Sequence, residues 1–175
     1  NKVGKTVTEI IPGVLEGTTK ALYILGENPM MTDPDTNHIR HCLEELDFLA
    51  LQEIFPTETS KYADVLLPGV TFAEKTGTFT STERRVQMVR QAITPRGESR
   101  PDWAVTADLA KRVIAQGGRH IDAAPYASWD YADSGEVMAE IAALTPSYGG
   151  ISHERLNAGE TLCWPCPNPT HPGTP

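Results

Sequence analysis

Short apolar runs alternate with turn residues over the first part of the chain. Residues 20–25 (KALYIL) form such a run, stopped by Gly26-Glu27-Asn28-Pro29. Its length and its turn-forming end predict a buried strand. Beyond Asp33-Pro34-Asp35-Thr36, the residues Ile39, Cys42, Leu43 and Leu46 recur at helical spacing, with Asp35 or Thr36 as N-cap. Residues 48–51 (FLAL) predict a second strand, ended by Gln52-Glu53, and residues 59–63 a single helical turn. Val65-Leu66-Leu67 predicts a third strand, stopped by Pro68-Gly69. Strand, helix, strand, turn, strand implies a parallel sheet with right-handed crossovers.

The pattern then changes in kind. Residues 76–82 (TGTFTST) and 85–90 (RVQMVR) are rich in Thr, Val and Phe with partial alternation, which predicts an extended excursion or hairpin. Pro101-Asp102 opens a helix whose Trp103, Ala107, Ala110 and Ile114 share a face, with Gly117-Gly118 at its end. A last helix is expected after Asp133-Ser134, with Val137, Ile141 and Leu144 on one face and Pro146 as its stop. The stretch from Cys163 to Pro175 holds five prolines, which predicts a connector rather than an element. The expected architecture is therefore α/β. A Rossmann-like three-layer domain with a mostly parallel sheet spans residues 1–160 and carries the hairpin. A Pro-rich tail occupies residues 161–175. Both ends read as cut from a longer polypeptide.

Composition narrows the function classes. A chain of 175 residues with 39% apolar and 22% charged positions suits one folded domain rather than a disordered segment. Its net charge of −8 disfavours nucleic acid, whose binding depends on Lys and Arg neutralising phosphates, and disfavours an anionic membrane surface. No apolar run approaches the roughly 20 residues that cross a bilayer. The expectation is a cytoplasmic protein, with a periplasmic parent enzyme as the alternative.

Three cysteines do not make a disulfide framework. Cys42 sits within the helical pattern as a small buried hydrophobe. Cys163 and Cys166 could be a redox pair or half of a zinc or iron–sulfur site, but His171 alone does not complete four ligands, so they read as loop residues. His38 and His41 lie three apart on a helix without an accompanying Glu-x-x-His, and read as surface residues; His120, His153 and His171 are scattered. Neither a Gly-x-Ser-x-Gly nucleophile motif nor the Gly-x-Gly-x-x-Gly and Walker phosphate loops occur, which disfavours hydrolytic, ordinary nicotinamide and ATP chemistry.

Open parallel sheets bind ligands at the carboxyl ends of their strands. Three predicted strand ends carry Gly26–Asn28–Pro29, Gln52-Glu53 and Pro68-Gly69. Asn28 and Gln52 each offer a donor and an acceptor, while Gly26 permits close backbone approach and Pro29 stiffens the turn. Each loop also has a plain reading as turn chemistry. Asp102 is either a first-turn acid at its helix or an acceptor for two N–H groups of a ligand. Lys75 is a solvated lysine or a phosphate contact, and Arg84-Arg85 is surface charge on a strand edge.

Five segments together resemble a known family: residues 21–33 (ALYILGENPMMTD), 51–68 (LQEIFPTETSKYADVLLP), 74–87 (EKTGTFTSTERRVQ), Pro101-Asp102-Trp103, and 164–175 (WPCPNPTHPGTP). They look like successive motifs of the molybdopterin oxidoreductases, most like the catalytic subunit of formate dehydrogenases, and cover essentially the whole chain. The resemblance implies a bis(molybdopterin guanine dinucleotide) cofactor with molybdenum or tungsten, and an iron–sulfur cluster and a Cys or selenocysteine metal ligand elsewhere in the parent. It implies that Asn28, Gln52, Gly69 and Asp102 contact a guanine dinucleotide, with Lys75 at a position that is cationic in some members.

No cysteine group with cluster spacing and no candidate metal-ligating Cys or catalytic His is found in a matching context. The expectation is a cofactor-supporting piece, inactive alone and without bound cofactor, with no catalytic and no metal-ligating residue. Its partners would be the remaining domains of the parent subunit and its electron-transfer subunits. The alternatives are the same domain of a nitrate reductase or another family member, and a freestanding nucleotide-binding module without redox chemistry.

Overall fold

The computed structural model describes residues 4–117 and 129–174. Gly118, His120 and Pro175, singled out above, lie outside the described residues. The chain divides into two compact units, one of Asn1–Gly69 with Gly97–Ser99 and one of Val70–Arg96 with Arg100–Pro175. The division falls after the third strand rather than at residue 160.

In the first unit, helix α1 (Val7–Ile10) precedes strand β1 (Ala21–Leu25). The short helix α2 (Pro29–Thr32) and α3 (Thr36–Glu44) lead to β2 (Phe48–Glu53), and a 3₁₀ turn at Thr59–Tyr62 leads to β3 (Val65–Pro68). The strands are parallel in the order β1-β2-β3, as the pattern predicts. Asp35 caps α3, its carboxylate accepting from the His38 backbone N–H at 3.0 Å. That cap sets the helix phase so that Ile39, Cys42 and Leu43 point inward, packing with Ile11, Val14, Met30 and Leu49 into one core. Leu22 and Ile24 of β1 complete it. Alternation along the strands then sends Tyr23, Leu25, Phe48 and Val65 to the other face, where all four are exposed.

The second unit holds the expected hairpin: β4 (Gly77–Thr80) runs antiparallel to β5 (Arg85–Val89). Helix α4 (Asp102–Ala115) starts where Pro101-Asp102 predicts, and buries Ala107. Helix α5 (Ser134–Leu144) is capped by Asp133, which accepts from the backbone N–H groups of Gly135 and Glu136. Its inner face is centred on Met138, 4% exposed, rather than on Ile141 and Leu144, which are 41% and 61% exposed. The hairpin explains the rotation, because Thr78 of β4 reaches the Met138 sulfur.

The tail departs furthest from expectation. Helix α6 (His153–Asn157) follows α5, and Leu162–Cys163 then forms β6, which pairs antiparallel with β5 as the third strand of its sheet. Prolines remove donors but leave carbonyls, and donors of the neighbouring residues find partners nearby. The Trp164 N–H donates to Arg84 O at 2.8 Å, and the Cys166 N–H to Ser147 O at 2.8 Å. The Gly150 N–H donates to Cys166 O at 2.7 Å. Gly150 must be glycine, since a Cβ there would lie 2.0 Å from the Asn168 carbonyl oxygen. Arg155 donates to the carbonyls of Gly150 and His171 and pairs with Glu160 at 2.6 Å, closing the turn. Leu162 and Cys166 thereby join Val86, Met138 and Ile151 in a second core.

Leu162→Ala tests that packing. It is expected to lower stability by about 2–5 kcal/mol, the usual range for a buried Leu, in urea unfolding. In the native chain the fully buried Cys166 should be inert to a thiol reagent, and in the variant it should react. An unchanged urea midpoint with Cys166 still inert would show that the tail does not contribute to the core.

Candidate functional site

The register of the first sheet places Leu25, Gln52 and Leu67 side by side, and Glu53 beside Pro68. The loops holding Asn28 and Gly69 therefore leave the sheet at the edge where Gln52 ends its strand. Gly26 turns the chain at φ 63°, a left-handed conformation suited to glycine, and its N–H donates to Gln52 O at 3.0 Å. The Gly69 N–H donates to Glu53 O at 2.9 Å, so Gly69 is fixed against the same strand. Asn28, Gln52 and Gly69 are thus brought together, as parallel strand ends predict.

Their side chains are used in ways the sequence did not show. Asn28 Oδ1 accepts from the Thr59 hydroxyl at 2.7 Å and from the Thr59 N–H at 3.3 Å. Its Nδ2 donates to Glu58 at 2.7 Å. The amide of Asn28 therefore ties the β1 loop to the 3₁₀ turn. The bond from Asn28 holds the Glu58 carboxyl below its ordinary value. Thr59 is fully buried and also accepts from the Met30 N–H at 3.3 Å. Gln52 is 1% exposed, and its carbonyl oxygen accepts from the Tyr23 hydroxyl. Thr57 Oγ1, in the loop leading to the turn, is buried without a partner among the described residues. Nothing in a polar run such as Thr57-Glu58-Thr59-Ser60 distinguishes Thr59 as the buried partner, and Tyr23 reads only as a strand residue.

In the second unit, Lys75 stands between the 3₁₀ turn Phe72–Glu74 and β4, and its ammonium forms an ion pair with Asp102, the first residue of α4. Asp102 makes no N-cap: the cap position is Pro101, which has no side-chain cap bond. The turn before Lys75 is tied down by Glu74. Glu74 accepts from the Thr71 N–H at 2.9 Å and the Arg96 N–H at 3.1 Å, and the first of these bonds is the main cause that holds its carboxyl below the usual range. The pair lines a cleft of about 250 Å³ with Thr78, Trp103, Val137 and Met138. Lys75 and Asp102 are thus brought together, a pairing across 27 positions that no local pattern reveals.

The other candidates are structural here. Cys42 is buried with its sulfur 3.6 Å from His38 Nε2. Cys163 and Cys166 belong to the packed tail. No group of three or more His, Cys, Asp or Glu side chains able to hold a metal occurs among the described residues. No described helix is long and apolar enough to cross a membrane.

The loop network yields a measurable expectation. Thr59→Val keeps the shape but removes the hydroxyl, and should cost about 1–3 kcal/mol through the lost bond to the Asn28 oxygen and the Met30 N–H left without its acceptor, with Thr59→Ser restoring most of it. Because the folded-state value of Glu58 is depressed below 4.5, its contribution is present above that pH and lost as pH falls through the folded value. Glu58→Gln should therefore flatten the acid limb of a stability–pH curve. A wild-type acid limb left unaltered by Glu58→Gln would contradict the assignment.

The sequence profile of the molybdopterin oxidoreductases matches residues 1–112. The chain is 41% identical over 173 residues to the F420-dependent formate dehydrogenase 1 subunit alpha of Methanococcus maripaludis, covering 99% of this chain and 24% of that protein. It is 44% identical over 155 residues to the F420-dependent formate dehydrogenase subunit alpha of Methanocaldococcus jannaschii, covering 89% of this chain and 21% of that protein. Among solved structures, acetylene hydratase from Pelobacter acetylenicus shares the fold with a TM-score of 0.59 at 20% identity, over 79% of this chain and 18% of that one. The chain thus spans about a quarter of the length of these curated relatives.

Proposed function

Because this chain belongs to the molybdopterin oxidoreductase family, we propose that it is the cofactor-supporting part of a formate dehydrogenase catalytic subunit. The observation that carries this reading is the gathering of Asn28, Gln52 and Gly69 at three adjacent parallel strand ends. It occurs in a chain more than 40% identical to formate dehydrogenase alpha subunits. The family implies a molybdenum or tungsten pterin cofactor; its guanine dinucleotide form, and an iron–sulfur cluster elsewhere in the subunit, are part of the proposal. When bound, the metal–pterin centre supplies the two-electron chemistry that takes formate to carbon dioxide.

The donor set of this chain fits the nucleotide portion of such a group rather than the reacting centre. The strand-end loops carry amides and hydroxyls, whose chemistry suits ribose and phosphate oxygens, alongside the carboxylates of Glu27, Glu53 and Glu58. Asn28 acts by holding its loop in place, and Gly69 by letting the backbone come close. Separately, the cleft of the second unit offers the Asp102 carboxylate, which matches the N1–H and exocyclic amine of guanine. The remaining domains of the subunit and the electron-transfer subunits are the proposed partners.

Two measurements test this. The isolated chain should hold no stoichiometric molybdenum, tungsten or iron by elemental analysis. In the full-length subunit, Asp102→Asn should weaken cofactor retention by roughly 30- to 1,000-fold, from about 2–4 kcal/mol for a lost charge-assisted bond facing a donor. Activity per bound metal should stay near the parent value, because the base does not react. Full metal occupancy in the Asn variant would remove the support for a guanine contact.

A further inference from the structure

The second unit holds another cleft of about 250 Å³, which shares only the Trp103 wall with the Lys75–Asp102 cleft. Ala104, Ala107, Asp108 and Lys111 line it from one face of α4, where the two alanines leave room above the helix. Trp129 and Tyr131 stand opposite. Trp129 has φ 54°, a left-handed conformation that a bulky side chain rarely adopts. The three residues after it are each tethered. Asp130 pairs with Lys111 at 2.8 Å, the Tyr131 hydroxyl donates to Glu140 of α5, and the Ala132 N–H donates to Glu136 at 2.6 Å. The Trp129 and Tyr131 rings meet edge to face at 6.4 Å. Backbone strain persists where the surroundings over-determine it, and it collects at ligand clamps.

The polar groups of this cleft are unbalanced toward donors. The indole N–H groups of Trp103 and Trp129 have no hydrogen-bond partner among the described residues, whereas that of Trp164 donates to Ser147 at 3.1 Å. Arg100, which also lines the cleft, spends N–H groups on Asp108 and on the Ala104 carbonyl, and Lys111 spends one of three on Asp130. Both keep donors to spare. Asp108 is engaged on both oxygens, by Arg100 and by Arg112. Two cations against one occupied carboxylate call for an anionic acceptor, and three aromatic rings call for a flat apolar body.

We propose that this cleft is a second binding site, for a small aromatic carboxylate whose ring lies against the indole walls and whose charge meets Lys111. Lys111 takes the carboxylate rather than Arg100, because its pair with Asp130 places it beside Trp129. A singly charged carboxylate fits better than a phosphate, since Asp108 and Asp130 stand close to the donors and repel a dianion more strongly. The proposal does not depend on the cofactor reading.

The test is titration of the 175-residue chain with phenylacetate, phenylacetamide, cyclohexylacetate and phenyl phosphate, followed by the indole N–H resonances of Trp103 and Trp129 and the methyl resonance of Met138. Phenylacetate should bind saturably with a dissociation constant on the order of 1 mM, the range open to a ligand of so few atoms. It should bind at least about fivefold more tightly than each of the other three, a difference that one charge-assisted bond supplies. The two indole resonances should move, and Met138, which lines the Lys75–Asp102 cleft, should not. Trp129→Gly, which relieves the backbone and removes the ring, should abolish binding. Equal affinity for the uncharged amide or for the non-planar cyclohexyl analogue overturns the proposal, and needs no variant to fold. Tighter binding of phenyl phosphate overturns the choice of a carboxylate. The site itself is overturned by a titration that does not saturate, by a shift centred on Met138, or by a Trp129→Gly chain that binds as the wild type does.

Discussion

The in-line pairing of three parallel strands is the constraint on which the first unit depends. Leu25, Gln52 and Leu67 share one row of the sheet, so the chain leaves all three strands at the same level. A slip of one residue in β2 would turn Leu49 and Leu51 out of the core and Gln52 toward the other face, because strand side chains alternate with period two. The apolar core under α3 therefore fixes the register, and the register fixes where the strand-end loops sit. Hydrophobic burial and placement of the candidate site are in this sense one event. The Asn28–Thr59 bonds then lock the first loop to the turn after β2.

The parts of this architecture governed by near-neighbour patterns were legible in the sequence. The runs 20–25 and 48–51, with the turn residues that stop them, marked two parallel strands. Asp35 was legible as a cap because a carboxylate placed just before a helix can reach the N–H three residues on, here that of His38. Asp102 was legible as the start of α4, since Pro at the preceding position ends what came before. What was not legible depends on distance. Leu162–Cys163 is a strand only because β5 presents an edge to it, and its neighbouring prolines argue against one. The inner face of α5 is decided by the Thr78 contact with Met138, since Val137, Ile141 and Leu144 make an equally apolar stripe. The candidate residues themselves were identifiable, but not that Asn28 turns its amide inward or that Lys75 meets Asp102.

Charge usage sets that pair apart. With 15 cationic against 23 anionic side chains, cations are scarce, and several serve exposed pairs such as Arg112–Asp108 and Lys111–Asp130. Such pairs contribute little, about 0–1 kcal/mol, because water screens them. A largely buried pair has lost much of that screening, so removing either partner is felt more strongly. Arg155 is another largely buried cation with an acidic partner, and its guanidinium is shared between Glu160 and the backbone carbonyls of Gly150 and His171.

The late position of β6 has a consequence during synthesis. Strand β5 is complete on one side as soon as β4 pairs with it, but its partner on the other side lies about 80 residues downstream. At about 5–20 residues per second of elongation, the nascent chain carries an open β5 edge for roughly 4–16 seconds. Throughout that interval Val86 lacks Leu162 beside it, and an apolar strand edge is available to neighbouring chains. The charged residues that begin and follow this strand, Arg85 and Arg90, stand where like charges on two nascent copies would oppose edge-to-edge pairing. The prolines just beyond β6 keep the late strand short, so that once it docks the sheet offers little edge for further growth.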